Sequence, residues 1–303
     1  MARLFSKRRR ATDPRRDGSP DAPAHAAQPL PRSGVFALMG ATGGVGTTTA
    51  ACALAVELAT RLVAQRPGLA ALSPEAREPR VCLLDLDFEA GACAHHLDLL
   101  PTLQHEDMAR PCREMDTTLV SSMIDQSVGG VSLISAANGG TAPVNPRTVL
   151  ALLDAAMQLF DFVVLDVPRR IEPWTLAALA GADSAAVLCE LTVPSLHMAR
   201  LRRMQMAPAL QGTGRALHPV IAKLERRGGR GSLSPGDLQT ALGEPAFATL
   251  PMDPDPLRAV INSGEPLALE QAECRYMRDL RVLADRLLRD AADRAPAQPA
   301  LAA

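Results

Sequence analysis

The feature that most constrains this chain is a rhythm of short, nearly continuous apolar runs separated by stretches long enough to be helices. The runs are GVFALM, RVCLLDLD, GVSLIS, DFVVLDV, DSAAVLCEL, LHPVIAKL and PAFATL, starting at Gly34 and ending at Leu250. Between them lie segments such as TTTAACALAVELATRLV and NPRTVLALLDAAMQLF. A strand covered on both faces needs apolar side chains at successive positions, and two parallel strands need a connection of about helix length. The pattern therefore predicts an α/β fold, a predominantly parallel sheet flanked by helices on both faces. Near the end, Tyr276, Leu280, Leu283 and Leu287 recur at i, i+4, i+7 and i+11, which predicts a closing amphipathic helix.

Composition narrows the function. Of 303 residues 47% are apolar, so the chain buries a core and is not disordered throughout. A formal net charge of -1 provides no overall attraction for a polyanion, and a single Trp and a single Tyr argue against a base-stacking surface. No specific nucleic acid is expected. No apolar run reaches the length of a membrane span, and the N-terminus lacks a signal-peptide core. The six cysteines are scattered without a C-x-x-C pair and read as small core residues of a cytoplasmic protein.

Residues 1–33 read as a disordered tail. Lys7, Arg8, Arg9, Arg10, Arg15 and Arg16 crowd its first half, and Pro, Ala and Gly without apolar period fill the rest. The cluster is either a solvated tail or a contact for anionic membrane lipid or an acidic partner. Residues 34–293 form one predicted domain, and 294–303 a second tail. RPGLAALSPEAREPR, after the first helix, reads as a surface loop.

LMGATGGVGTTTA, from Leu38 to Ala50, joins the first strand to the first helix. Loops of this kind surround phosphates with backbone N–H groups and aim a helix N-terminus at them. Gly43, Gly44 and Gly46 suit the required turn, Thr48 takes the metal-ligand position, and Thr47 stands where a phosphate-binding lysine is usual. Ala41 replaces the first glycine of the motif. The second run ends in Asp85 and Asp87, and alternation predicts both side chains on one side of the sheet's C-terminal edge. DFVVLDV places Asp166 after apolar residues, the pattern of an acid that holds Mg²⁺ through water.

With these elements in order, the sequence resembles the MinD/ParA superfamily, the deviant-Walker P-loop ATPases, and more narrowly the CpaE/TadZ branch of pilus assembly proteins. TGGVGTT (Thr42 to Thr48), DLDFEAGACAHHLDLLP, the run from FDFVVLDVPRR through PWT to ELTVPSL, and LGEPAFATLPMDPDPLRAVINSGEPL carry the likeness, which spans roughly Gly34 to Leu288. The resemblance implies ATP or ADP with Mg²⁺ on Thr42, Gly43, Gly44, Val45, Gly46, Thr47, Thr48 and Thr49. It implies Mg²⁺ held directly or through water by Thr48, Asp85 and Asp166, and Asp87 positioning water if the protein is active. It also implies a homodimer that scaffolds a type IVb (Tad/Flp) pilus machine at the inner membrane or cell pole. Its partners would be a pilus assembly ATPase or inner-membrane pilus platform proteins. The alternative is an active ParA/MinD-type ATPase that positions DNA or other cargo.

The departures from that pattern bear on chemistry. Thr42 replaces the lysine that in relatives reaches across a dimer, and Thr47 is also neutral. The loop thus brings no cation to the phosphates, which implies at most weak ATPase activity. Arg169 and Arg170 follow Asp166 and are either surface charges or partial substitutes, Arg169 being the nucleotide-binding candidate. LHPVIAKL ends in Ala222, Lys223 and Leu224, without the asparagine expected beside adenine. Members of the branch often carry a receiver-like domain ahead of the ATPase-like one; here the basic tail precedes it. VPSLHMARLRRM reads as a basic helix with Arg200, Arg202 and Arg203 on an exposed face.

Overall fold

Each of the seven apolar runs supplies a strand of one sheet. The computed structural model describes residues 30–31, 33–66, 68, 80–101, 103–124, 127–137, 143–225 and 231–294. The strands are β1 (Gly34–Gly40), β2 (Val81–Asp85), β3 (Ser127–Val128), β4 (Val131–Ile134), β5 (Phe162–Val167), β6 (Ser184–Cys189), β7 (Leu217–Leu224) and β8 (Ala248–Pro251). Their spatial order is β3-β4-β2-β5-β1-β6-β7-β8. Every pairing is parallel except β3 with β4, a two-residue antiparallel addition that the apolar pattern does not predict. Gly129 and Gly130, both at positive φ (59° and 78°), turn the chain between those two strands.

The helices are α1 (Thr47–Gln65), α2 (Cys93–His96), α3 (Thr117–Ser122), α4 (Pro146–Leu159), α5 (Pro173–Gly181), α6 (Val193–Leu210), α7 (Pro235–Leu242), α8 (Pro254–Ser263), α9 (Leu267–Glu270) and α10 (Arg275–Ala292). Strand alternation sorts the core into two layers. Phe36 and Leu38 of β1, Leu83 of β2, and Phe162 and Val164 of β5 face α1 and α10. Val35, Ala37 and Met39, with Leu84, Val163 and Leu165, face α4, α5 and α6. The predicted stripe of α10 is buried throughout: Tyr276, Leu280, Leu283 and Leu287 all pack into the first layer. Each buried leucine there contributes about 1.5–3 kcal/mol relative to exposure.

One expectation is corrected. By length and composition, Thr47–Gln65 does reach membrane-span character. It is instead the central helix of the α1 layer, and it carries Glu57 and Arg61, whose charges are satisfied by protein. The packed chain also reaches back beyond Gly34. The Leu30 backbone N–H donates to Gln65 Oε1 at 2.8 Å, and its side chain packs on the α1 layer. At the other end Arg294 pairs with Asp290 of α10. Most of both predicted tails, with the basic cluster, lies outside the described residues, as does most of the Pro-rich loop.

α1 is joined to α10 by a shared ion network. Glu57, buried, accepts from Arg61 Nε at 2.8 Å and from Arg281 Nε at 3.3 Å, while Arg61 Nη1 reaches Asp285 at 2.5 Å. Removing Arg61 leaves two carboxylates short of a cation in a largely water-excluded seam. Arg61→Met is expected to lower stability by about 2–4 kcal/mol. Urea unfolding monitored by circular dichroism checks this, and an unchanged midpoint would show that the network is not structural.

Candidate functional site

β1 ends at Gly40 and α1 begins at Thr47, so residues 41–46 must reverse direction close to the sheet edge. The Ala41 N–H donates to the Leu188 carbonyl of β6 at 2.8 Å, which fixes where the loop leaves the sheet. Gly44 and Gly46 take φ of 70° and 96°, left-handed conformations that a β-branched residue adopts only with strain. Val45 between them is buried and anchors the loop from below, which leaves its backbone for a ligand. Gly46 is the N-cap of α1. No side chain caps that helix end, and its first turn holds no acidic residue. An uncapped N-terminus behind a glycine turn suits an anion, because N–H groups and helix dipole point the same way.

The lysine position is filled by a side chain that turns back. A methyl group on Gly40 would lie 2.7 Å from Thr47 Oγ1, so the Thr47 hydroxyl rests against the strand end. Thr42 is half-buried, with Oγ1 3.3 Å from Ser195 Oγ on the first turn of α6. Ser195 Oγ also accepts from the Glu190 N–H at 3.0 Å, so the hydroxyl pair ties the loop to the β6–α6 connection. Thr49 is half-buried in the first turn of α1.

Beneath the loop sit the acids. Parallel register pairs Asp85 of β2 with Asp166 of β5, and strand alternation turns both toward the α1 layer. Asp166 Oδ2 accepts from Thr48 Oγ1 at 2.7 Å. Asp85 accepts from the backbone N–H groups of Asp87, 3.0 Å, and Cys93, 3.1 Å. Both carboxylates are buried. Burial, and next the Asp85 charge, push Asp166 up to about 7 against the Thr48 hydrogen bond. Burial likewise raises Asp85. β2 ends at Asp85, so Asp87 does not continue the strand as alternation predicted. It lies half-buried at the start of a turn, its Oδ1 accepting from the Ala90 N–H at 3.0 Å.

Cys93 completes the cluster and is the residue that pattern reading passed over as core. Its thiol is fully buried 3.5 Å from Asp166 Oδ2, and ligand atoms of Asp85, Cys93 and Asp166 lie within 4.8 Å of one another. The only sequence hint is its place as the first residue of a helix just after Gly91, where a side chain would collide with Asp85. Two hard carboxylates, charge-stressed and beside a threonine hydroxyl, are the donor set Mg²⁺ takes, so the residues fit that ion.

The basic candidates part company. Arg170 is bound by Glu89 at 3.2 Å and Glu172 at 2.7 Å. Arg169 lies over the loop: a methyl on Gly43 would stand 3.1 Å from its Nη1. Arg203 is not on an exposed face. It donates to the carbonyls of Leu217 and Leu242 and pairs with Glu244, bracing α6 against β7 and α7. Lys223 takes φ of 53° and pairs with Glu190 at 3.0 Å, at one wall of a cleft of about 770 Å³ that also includes Thr192, Ala222 and Ser234.

The pH dependence follows in sign. With its folded pKa near 7, above the unfolded value of 3.8, Asp166 holds its proton more tightly when folded. Its contribution is present below the unfolded value and is lost as pH rises through about 7. Metal-free protein is expected to melt at lower temperature at pH 8 than at pH 5. Asp166→Asn should flatten that difference, and equal slopes for the two proteins would contradict it.

Comparison with known proteins places this geometry. No protein-family model matches the chain. A curated relative, "Uncharacterized protein Rv3660c" of Mycobacterium tuberculosis strain H37Rv, is 27% identical over 226 residues, 73% of this chain and 55% of that protein. The chain thus spans about half the length of the curated relatives it matches. Among solved structures, a ParA family ATPase from Chlorobium tepidum TLS superposes with a TM-score of 0.66 at 16% identity, covering 84% of this chain and 98% of that one. The septum site-determining protein MinD from Pyrococcus horikoshii OT3, complexed with Mg-ADP, gives 0.64 at 17%, covering 84% and 96%. A Cyanothece McdA variant in complex with ATP gives 0.58 at 13%, covering 85% and 96%. The chain has the P-loop fold of the ParA and MinD ATPases.

Proposed function

We propose that this chain is a nucleotide-responsive scaffold of the CpaE/TadZ kind. In this reading it binds ATP or ADP weakly with Mg²⁺, hydrolyses it little or not at all, and positions a type IVb (Tad/Flp) pilus machine. The observation that carries the reading is the Thr48–Asp166 hydrogen bond of 2.7 Å at an uncapped glycine loop whose lysine position is filled by Thr47. Binding and turnover are separable at such a site. Backbone N–H groups from Gly43 to Thr48 and the N-terminus of α1 receive phosphate oxygens, while Thr48, Asp85 and Asp166 hold the metal directly or through water. Magnesium, when bound, neutralises charge on the phosphates. Asp87, at the turn beyond β2, is the residue placed to orient water. Turnover is a different demand, since a cation at the terminal phosphate is worth roughly 10³-fold or more in rate. Neither Thr42 nor Thr47 supplies one.

The pilus assignment draws on the DVPR, PWT and ELTVPSL segments and is supported by the MinD/ParA-like fold. A homodimer, contact of the basic N-terminal tail with anionic lipid, and placement in the cytoplasm at the inner membrane or cell pole belong to the same proposal. The partner would be the pilus assembly ATPase or an inner-membrane platform protein.

Titration calorimetry with Mg²⁺ and ATP or ADP tests the reading. Wild type is expected to bind both, and Gly46→Val, which forces a β-branched residue into the left-handed region, to lose at least about tenfold in affinity. Steady-state ATP hydrolysis should stay at background. Robust Mg²⁺-dependent turnover that Asp166→Ala abolishes would instead favour an active ATPase that positions DNA or other cargo.

A further inference from the structure

Cys93 touches both buried acids of the site. Its backbone N–H donates to Asp85 Oδ2 at 3.1 Å, and its thiol donates to Asp166 Oδ2 at 3.5 Å. The three side chains come from separate elements, the end of β2, the interior of β5 and the first residue of α2, and all are buried. Among the described residues they are the only set of three His, Cys, Asp or Glu side chains close enough to share an ion, with ligand atoms within 4.8 Å of one another. The turn that delivers Cys93 is pressed onto the acids. A methyl on Gly91 would stand 2.6 Å from Asp85 Oδ2 and 2.8 Å from the Asp87 carbonyl oxygen. The two strand cysteines keep other company: Cys189 donates its thiol to the Val220 carbonyl at 3.6 Å, and Cys82 packs among apolar side chains of the second layer.

Oxygen donors alone suit Mg²⁺, but a thiol among them changes the preference. Sulfur is a poor ligand for Mg²⁺ and a good one for zinc-type ions. The spacing agrees. Around tetrahedral zinc, with a bond of about 2.3 Å to sulfur and about 2.1 Å to oxygen, the two ligand atoms lie about 3.6 Å apart. Cys93 Sγ and Asp166 Oδ2 are 3.5 Å apart. We propose that Asp85, Cys93 and Asp166 form a site for a thiophilic divalent cation of the zinc type, filled without nucleotide and with water as fourth ligand. A cation between the two carboxylates ends their repulsion, and Cys93 gives its proton to buffer as the metal–thiolate bond forms. Burial pushes the free thiol well above its ordinary range, so it is the cation that brings out the thiolate. The proposal shares two acids with the nucleotide reading above but uses neither the loop nor a phosphate, so the two stand or fall separately.

Cobalt(II) is the probe, because it accepts the zinc geometry and a cobalt–thiolate bond gives a charge-transfer band in the near ultraviolet. Metal-free wild type, as the full chain with a phosphine reductant, is expected to develop that band on titration with Co²⁺ and to saturate at a single equivalent. Zn²⁺ should remove the band by displacement, and a large excess of Mg²⁺ should leave it. Cys93→Ser should lose the band and bind Zn²⁺ at least about tenfold more weakly, since even a partner outside the ligand set is worth that much. Cys112→Ser, a cysteine outside the cluster, should keep both. If Cys93→Ser does not fold, wild-type crystals grown with Co²⁺ locate the ion by anomalous scattering, expected at bonding distance from Cys93 Sγ. No binding, binding without the band, a band that survives Cys93→Ser, displacement by Mg²⁺, or an ion located elsewhere would each overturn the proposal. None of these outcomes decides nucleotide binding, which its own titration judges.

Discussion

The register between β2 and β5 sets Asp85 beside Asp166, and much of the site follows from that neighbourhood. Two carboxylates facing the same buried layer repel each other, and each needs something positive or a proton. The protein supplies partial answers: the Thr48 hydroxyl for Asp166 and two backbone N–H groups for Asp85. These contacts also fix the phosphate loop, because Thr48 belongs to the first turn of α1, and the turn from Asp87 to Cys93, because Asp85 holds both of its ends. A metal ion arriving at this pair would meet a loop already shaped for its phosphate partners. The acids are therefore as much the frame of the loop as its chemistry.

The sheet was legible in the sequence because strands buried on both faces have to be apolar along their length. The seven runs met that condition, and β3 did not, being two residues held by a Gly129–Gly130 turn. The glycine loop, Thr48 and Asp166 could be read because a phosphate turn and a strand-end acid have local signatures. Cys93 could not. Its role depends on a chain reversal that brings a helix start under the loop, and a lone cysteine carries no mark of that. Arg203 was misread for the same reason: whether a helix arginine is solvated or braces two carbonyls is settled by what packs beside it. Asp87 shows the limit of alternation, which holds only as far as the strand runs. α1 met the composition of a membrane span because a helix packed between a sheet and α10 has equally apolar surroundings.

The loss of two lysines has a structural counterpart. Thr47 turns back onto Gly40 and Thr42 is engaged with Ser195, so both positions contribute to the packing of the loop. Arg169, from outside the motif, lies on the loop at Gly43. The fold is shared with ParA and MinD structures.

If the loop remains a working phosphate cradle from which a single kind of charge has been removed, returning that charge should restore tight binding. Titration of Mg–ADP into Thr47→Lys beside wild type should show affinity at least about tenfold tighter in the variant, since a charge-assisted contact to phosphate is regained in an unchanged turn. An affinity equal to or weaker than wild type, in a variant that melts at the same temperature, would mean that the turn is no longer shaped for phosphate.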